Sequence, residues 1–129
     1  MYKEIIICSI VIIIVVGLNI LTESYTKESI TLMTGDLKSL KENMISEEQN
    51  EEKLNNQIEN IVNNWNEKHK KLAYYIEHDE LEKVETELVY LKGNIEVKEY
   101  EQGIPNLNNC IFILEHIKEK TALQIKNIF

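Results

Sequence analysis

The chain has 129 residues, and its 22 acidic and 14 basic side chains give a formal net charge of −8. All the basic side chains are lysines, since the sequence contains no arginine. An acidic chain of this kind argues against nucleic acid as a partner, because that binding needs concentrated positive charge. The same charge argues against a body that lies on an anionic lipid surface. Four glycines and one proline predict few turns and therefore few, long elements.

The N-terminal part contains an uncharged apolar run from Ile5 to Leu21, rich in isoleucine and valine. Its length lies at the short end of the roughly 17 to 25 apolar residues that a membrane-spanning helix needs. Tyr2 and Tyr25 flank the run about 34 Å apart along a helix, which suits one aromatic residue at each membrane interface. The run therefore predicts a membrane anchor over residues 1–23 that contacts lipid, followed by a body over residues 24–129.

A cleaved signal peptide is the alternative interpretation of this run. A signal peptide has a basic start and a small-residue cleavage site, whereas here Lys3 is offset by Glu4. Thr22 and Ser24 fit the small positions of such a site, so cleavage stays open. Positive charge near a span sets its orientation, and Lys3 on one side nearly balances Lys27 on the other. Because a short N-terminus before an uncleaved anchor usually stays in the cytoplasm, we expect a single-pass cell-membrane protein with an extracytoplasmic body.

Apolar residues in the body recur every three or four positions, which is the pattern of one helix face. Four such stripes follow one another, at Ile30 to Met44, Leu54 to Ile76, Leu81 to Ile95 and Leu107 to Ile117. Four helices with short connections pack antiparallel. The sequence therefore predicts an all-α fold, with an N-terminal transmembrane helix followed by an antiparallel bundle of about four helices. Trp65 lies in the second stripe and is predicted to be a core residue.

Capping signals predict where the body helices begin. Ser46, followed by a glutamine three residues later, predicts the start of the second helix. Asp79, followed by a glutamate at the same spacing, predicts the start of the third. We expect Gly103 to interrupt the helical pattern and Pro105 to lie in the first turn of the fourth helix.

The predicted lengths conflict with a straight bundle. The first body helix, Ser24 to Ile45, would measure about 33 Å, and the second, Glu47 to Glu77, about 46 Å. A straight return would drive the charged end of the second helix into lipid, which is prohibitive. We therefore expect a bend at residues 63–64, or a tilt or break between Thr22 and Ser29.

The up-and-down order places the start of the third helix and the end of the fourth at the membrane-proximal end. His78 and Asp79 would then approach His116, and such a group suits a divalent metal or a response to pH. The alternative is that Asp79 caps a helix and His116 favours the helix dipole. The metal candidates are therefore His78, His116 and Asp79, with the carboxylates of Glu80 and Glu115 nearby.

The C-terminal segment ends in apolar residues, and a tail of this kind is usually packed. It would close the base of the bundle, or dock on a partner or on the bilayer surface. The predicted interaction residues are Leu123, Ile125, Ile128 and Phe129.

No Gly-rich phosphate loop, nucleophile–base constellation or Cys/His metal spacing occurs in the sequence. Cys8 in the apolar run and Cys110 in the body do not suggest a disulfide framework. These observations predict a protein that is not an enzyme and that carries no cofactor.

Several stretches together resemble a family of small, single-span proteins of spore-forming Gram-positive anaerobes, catalogued only as a domain of unknown function. They are Trp65 with the Lys-rich turn after it, Ile76 to Glu82, Leu114 to Ile117, and Leu123 to Phe129. Where this family usually has a proline after the L-E-H-I stretch, the chain has Lys118. The resemblance implies no catalytic residues. It implies a membrane partner, since similar proteins are often encoded beside multi-pass membrane proteins.

The leading hypothesis is a membrane-anchored, non-enzymatic helical module that binds a membrane-protein partner. The alternative is an extracytoplasmic domain that senses a ligand or metal through the His78/His116 end. The sequence does not set the oligomeric state.

Overall fold

The computed structural model describes residues 1–74 and 76–128, with side chains as far as Leu123. Its described residues form four α-helices and no strand, which confirms the predicted all-α bundle. The helices are α1 (Tyr2–Ile45), α2 (Glu51–Leu72), α3 (His78–Glu96) and α4 (Tyr100–Ile128).

Helix α1 contains both the apolar run and the first helix of the body. It is helical throughout its 44 residues, about 66 Å, so the predicted break between Thr22 and Ser29 is wrong. Its apolar N-terminal segment is long and apolar enough to cross a membrane, and no other described part of the chain buries it. Buried side chains begin at Thr26 and follow the predicted stripe to Met44.

Helix α2 is shorter than predicted, and this removes the geometric conflict. Asn50 caps it, with its side chain accepting a hydrogen bond from the Lys53 backbone N–H at 3.2 Å. The predicted cap Ser46 instead ends α1 in an extended conformation. Because α2 ends at Leu72, it measures about 33 Å and matches the body part of α1. Its end therefore does not have to enter the lipid, and α2 contains no break at residues 63–64.

In contrast to α2, which begins later than predicted, the third and fourth helices begin earlier than predicted. Glu77 is the N-cap residue of α3, so Asp79 lies in the first turn and does not cap the helix. Helix α4 begins at Tyr100, which places Gly103 and Pro105 inside it. A Cβ atom on Gly103 would lie 3.2 Å from the Met44 side chain, so this glycine marks a close helix contact and not a break.

Each helix packs on two neighbours, in the order α1, α2, α3, α4 and back to α1. The predicted stripes meet in one core, which dominates the stability of a body of this size. Trp65 is fully buried in this core, as predicted. The largest fully buried side chains of α3 include Leu81, Leu88 and Leu91. The buried residues of α4 include Leu107, Cys110, Leu114 and Ile117.

Candidate functional site

The up-and-down topology brings the start of α3 and the second half of α4 together, as predicted for the membrane-proximal end. The Lys120 Nζ atom lies 3.4 Å from a carboxylate oxygen of Glu77 and 3.4 Å from one of Glu80. His116 Nε2 lies 3.9 Å from the same Glu80 oxygen. Glu80 is mostly buried, so its carboxylate is an anchoring point for two side chains of α4.

The charges at this contact affect the Lys120 ammonium. Partial desolvation lowers its pKa, but hydrogen bonds and charge interactions with Glu77 and Glu80 outweigh that effect and raise the pKa. Lys120 is therefore a cation that fastens α4 to the beginning of α3. This contact holds together the end of the bundle next to the apolar run, and both carboxylates are already partnered.

The metal candidates His78, Asp79 and His116 gain no support from this arrangement. Among the described residues, no group of three His, Cys, Asp or Glu side chains is placed to hold a metal ion. His116 is directed to Glu80, and Asp79 lies in the first turn of α3, where its charge favours the helix dipole.

The end of α2 meets α1 directly above the apolar run. The Lys71 Nζ atom lies 5.6 Å from the centre of the Tyr25 ring, which is within cation–π distance. Tyr74, in the turn that follows, is 87% exposed. His69 is half-buried, with its ring edge-on to Trp65 at 5.7 Å between centroids. The Tyr25–Lys71 contact was not predicted, because nothing in the local sequence links residues so far apart.

A groove of about 200 Å³ separates α1 from α4 at the same end. It is lined by charged and hydroxyl side chains, among them Lys27, Lys118 and Thr121. The buried Thr26 hydroxyl also lines the groove and has no hydrogen-bond partner among the residues that the structure describes. Polar side chains therefore surround the point where the body meets the apolar run.

The predicted interaction segment lies at the end of α4. Leu123 is 58% exposed. Ile125 and Ile128 are in the helix, but their side chains, and the whole of Phe129, lie outside the described residues. The backbone of α4 continues about 9 Å past Ala122, which lines the groove beside α1.

Large apolar side chains are also exposed on α3, just after its end, and on α4. Phe112 is 73% exposed, and Tyr90 and Val97 are exposed as well. Ile113, which follows Phe112 in the sequence, instead packs against the core. We refer to Tyr90, Val97 and Phe112 as the outer apolar face.

No curated protein and no solved structure matches the chain. A family model described as "Domain of unknown function (DUF4363)" matches residues 20–128. This match covers all of α2, α3 and α4 and the body part of α1, but only the last two residues of the apolar run. The chain belongs to this family, whose function is unknown.

Proposed function

We propose that this protein is a single-pass membrane protein whose helical body is a non-enzymatic interaction module, acting as an accessory subunit of a membrane-protein partner. The observation that carries the proposal is the exposed apolar segment of α1, which continues into the body without a break. A helix that is apolar on all sides is stable when lipid or protein covers it. The body would then be held next to the membrane at a fixed height.

The outer apolar face supports the second part of the proposal. Tyrosine and phenylalanine are enriched in surfaces that bind other proteins, in comparison with the rest of the protein surface. Tyr90 and Phe112 lie on the neighbouring helices α3 and α4, and Val97 directly follows the end of α3. We propose that a partner covers this face, and that the body is extracytoplasmic.

Membrane attachment is tested by washing native membranes with alkaline carbonate. We expect the full-length chain to stay in the membrane pellet with a mass that includes Met1. Replacement of Ile12 and Ile13 by aspartate should release the protein, because charges at the centre of a span cost about 2.5 to 3.5 kcal/mol each. A wild-type chain that washes off, or that lacks its first residues, contradicts the anchor. Reporter fusions at the C-terminus then test the orientation.

Partner binding is tested by purification from mildly solubilised native membranes. We expect a membrane protein to co-purify in constant ratio, and the double variant Tyr90→Lys/Phe112→Lys to lose it. The matched control is Leu32→Lys/Ile45→Lys, which introduces the same charges at exposed apolar positions of α1. Isolation of the protein alone across several mild detergents, or equal loss in both variants, contradicts the proposed binding face.

A further inference from the structure

The net negative charge of the chain is unevenly distributed along the bundle. The end far from the apolar run contains the α1–α2 and α3–α4 connections, which are joined by a Lys98–Glu51 ion pair at 3.2 Å. This end is rich in acidic side chains, namely Glu47, Glu48, Glu51, Glu52, Glu96, Glu99 and Glu101. Negative charge is therefore concentrated at this end, and the total of −8 does not describe the opposite end.

Residues 68–74, at the end of α2 and in the turn after it, contain three lysines and no acidic residue. We refer to Lys68, Lys70, Lys71 and Tyr74 as the basic corner. Lys70, Lys71 and Tyr74 are exposed, and Lys68 is half-buried. The nearest acidic residues along the chain are Glu67 and Glu77, and Glu77 is already paired with a lysine of α4.

The height of the basic corner follows from its contact with α1. Lys71 lies over the Tyr25 ring, and Tyr25 is about 6 Å along the helix from Leu21, the last residue of the apolar run. The headgroup layer of a bilayer is roughly 5 to 8 Å thick on each side of the hydrocarbon core. Because α1 is unbroken between the two segments, a span seated in lipid places the basic corner in the headgroup layer.

We propose that the basic corner binds the phosphate groups of anionic lipids at the membrane surface. Lysine ammonium groups attract lipid phosphates, and tyrosine is favoured at the headgroup level. The acidic end of the bundle is repelled by the same surface, so both ends favour one orientation. This inference rests on the proposed membrane anchoring, and it reverses the expectation from net charge that the body avoids anionic lipid.

The experiment uses the full-length chain with Cys8 replaced by serine, reconstituted into vesicles. A fluorescent probe is attached at Ala73→Cys, an exposed position that leaves the basic corner intact. The control probe is at Ile45→Cys, at the acidic end. Quenching by lipids with a headgroup nitroxide is compared between phosphatidylcholine vesicles and vesicles that also contain phosphatidylglycerol.

We expect quenching at position 73 that increases with phosphatidylglycerol and falls at high salt, and no quenching at position 45. Each lysine near an anionic surface shifts the contact equilibrium about fivefold. The triple variant Lys68→Gln/Lys70→Gln/Lys71→Gln should therefore lose the lipid-dependent increase. The matched variant Lys41→Gln/Lys53→Gln/Lys92→Gln should keep it.

Other outcomes overturn the inference separately from the anchor. If the protein floats with the vesicles but position 73 is not quenched, the basic corner does not contact headgroups. The proposed membrane anchoring is then still supported. If inorganic phosphate abolishes the quenching where chloride at equal ionic strength does not, the corner is a site for soluble phosphate. If the protein does not float with the vesicles, the proposed anchoring itself fails.

Discussion

Lys98 has a left-handed backbone conformation, with φ of 62°, which is unique among non-glycine residues in the described chain. It follows the end of α3, where the Glu99 N–H donates to the Asn94 carbonyl and the Lys98 N–H donates to the Ile95 carbonyl. This pair of bonds is the Schellman motif, whose left-handed position normally holds glycine. The lysine side chain compensates in part by pairing with Glu51, but that pair is exposed and weak.

We expect Lys98→Gly to raise the free energy of unfolding by about 0.5 to 1 kcal/mol, because glycine adopts this conformation without a steric cost. The same substitution at Lys92, inside α3, should lower it by about 1 kcal/mol. Denaturant unfolding of the detergent-solubilised protein measures both. Destabilisation of similar size in the two variants contradicts the Schellman interpretation.

Cys110 shows how burial changes the chemistry of a side chain. The thiol is fully buried, and desolvation, with a smaller contribution from the Glu87 charge, raises its pKa from 9.0 to about 12. Between these values the unfolded chain loses the thiol proton while the folded chain retains it. The contribution of this thiol to the free energy of unfolding is therefore fully present below about pH 9. It is lost as the pH rises, by up to about 1.4 kcal/mol per pH unit.

The prediction is that Cys110→Ala weakens the alkaline loss of stability, although the cavity lowers stability at neutral pH. Unfolding curves at pH 7 to 11 are compared for the wild type, Cys110→Ala and the control Cys8→Ala. The slope of the unfolding free energy against pH is compared with that of the wild type. This difference removes the contribution of lysines and tyrosines that titrate in the same range. Equal slopes in all three proteins would exclude a raised thiol pKa.

At the scale of elements, the helix stripes were predictable and the boundaries were not. Spacings of three and four residues identified the buried faces because a helix core requires that period, and Leu37, Leu88 and Leu114 are all buried. Capping spacings misplaced the starts of α2 and α3, since Ser46 and Asp79 are each followed three residues later by a glutamine or glutamate although neither residue is the cap. Local sequence does not show which of several caps the tertiary fold selects.

The width of a helix stripe was also beyond prediction. Phe112 and Ile113 are neighbours in sequence, yet one is exposed and the other packs against the core. Adjacent residues differ by about 100° around a helix, so the outcome depends on where the neighbouring helix lies. The candidate site has the same limit, because the Lys71–Tyr25 contact depends on the register between α1 and α2.

Gly103 tests the packing of α4 on α1 and α3. Its Cβ position would lie 3.2 Å from Met44, 3.3 Å from Leu91 and 3.4 Å from Asn94, whereas a Cβ atom on Gly93 would meet nothing within 4 Å. Gly103→Leu should lower the free energy of unfolding by about 1 to 3 kcal/mol through overpacking. Gly93→Leu, the matched control, should be neutral or raise it by up to about 1 kcal/mol. Thermal unfolding compares the two, and a tolerated leucine at position 103 would show that this contact is loose.

At the scale of the whole molecule, the end of the bundle next to the apolar run combines three separate features. These are the Lys120 contact with the start of α3, the groove beside Lys118, and the basic corner. Their common property is position, because the bundle topology and the unbroken α1 place all three where the body would meet a bilayer.

The unbroken α1 also fixes the rotational phase between the apolar run and the body. Since each helical residue turns the chain by about 100°, a partner helix in the membrane that recognises one side of the run also determines which side of the body it meets. One alanine inserted after Thr22 would turn the body by about 100° and raise it by about 1.5 Å. Seven inserted residues would restore the angle to within about 20° while moving the body roughly 10 Å from the bilayer.

These insertions test the rotation of the body about the helix axis separately from its distance from the bilayer. If the partner binds both segments, the single insertion should abolish co-purification because it turns the outer apolar face away. The seven-residue insertion should keep the outer apolar face directed toward the partner, but it should abolish the headgroup quenching at position 73. A protein that tolerates both changes would have segments that work independently, and the continuity of its longest helix would then be a matter of folding alone.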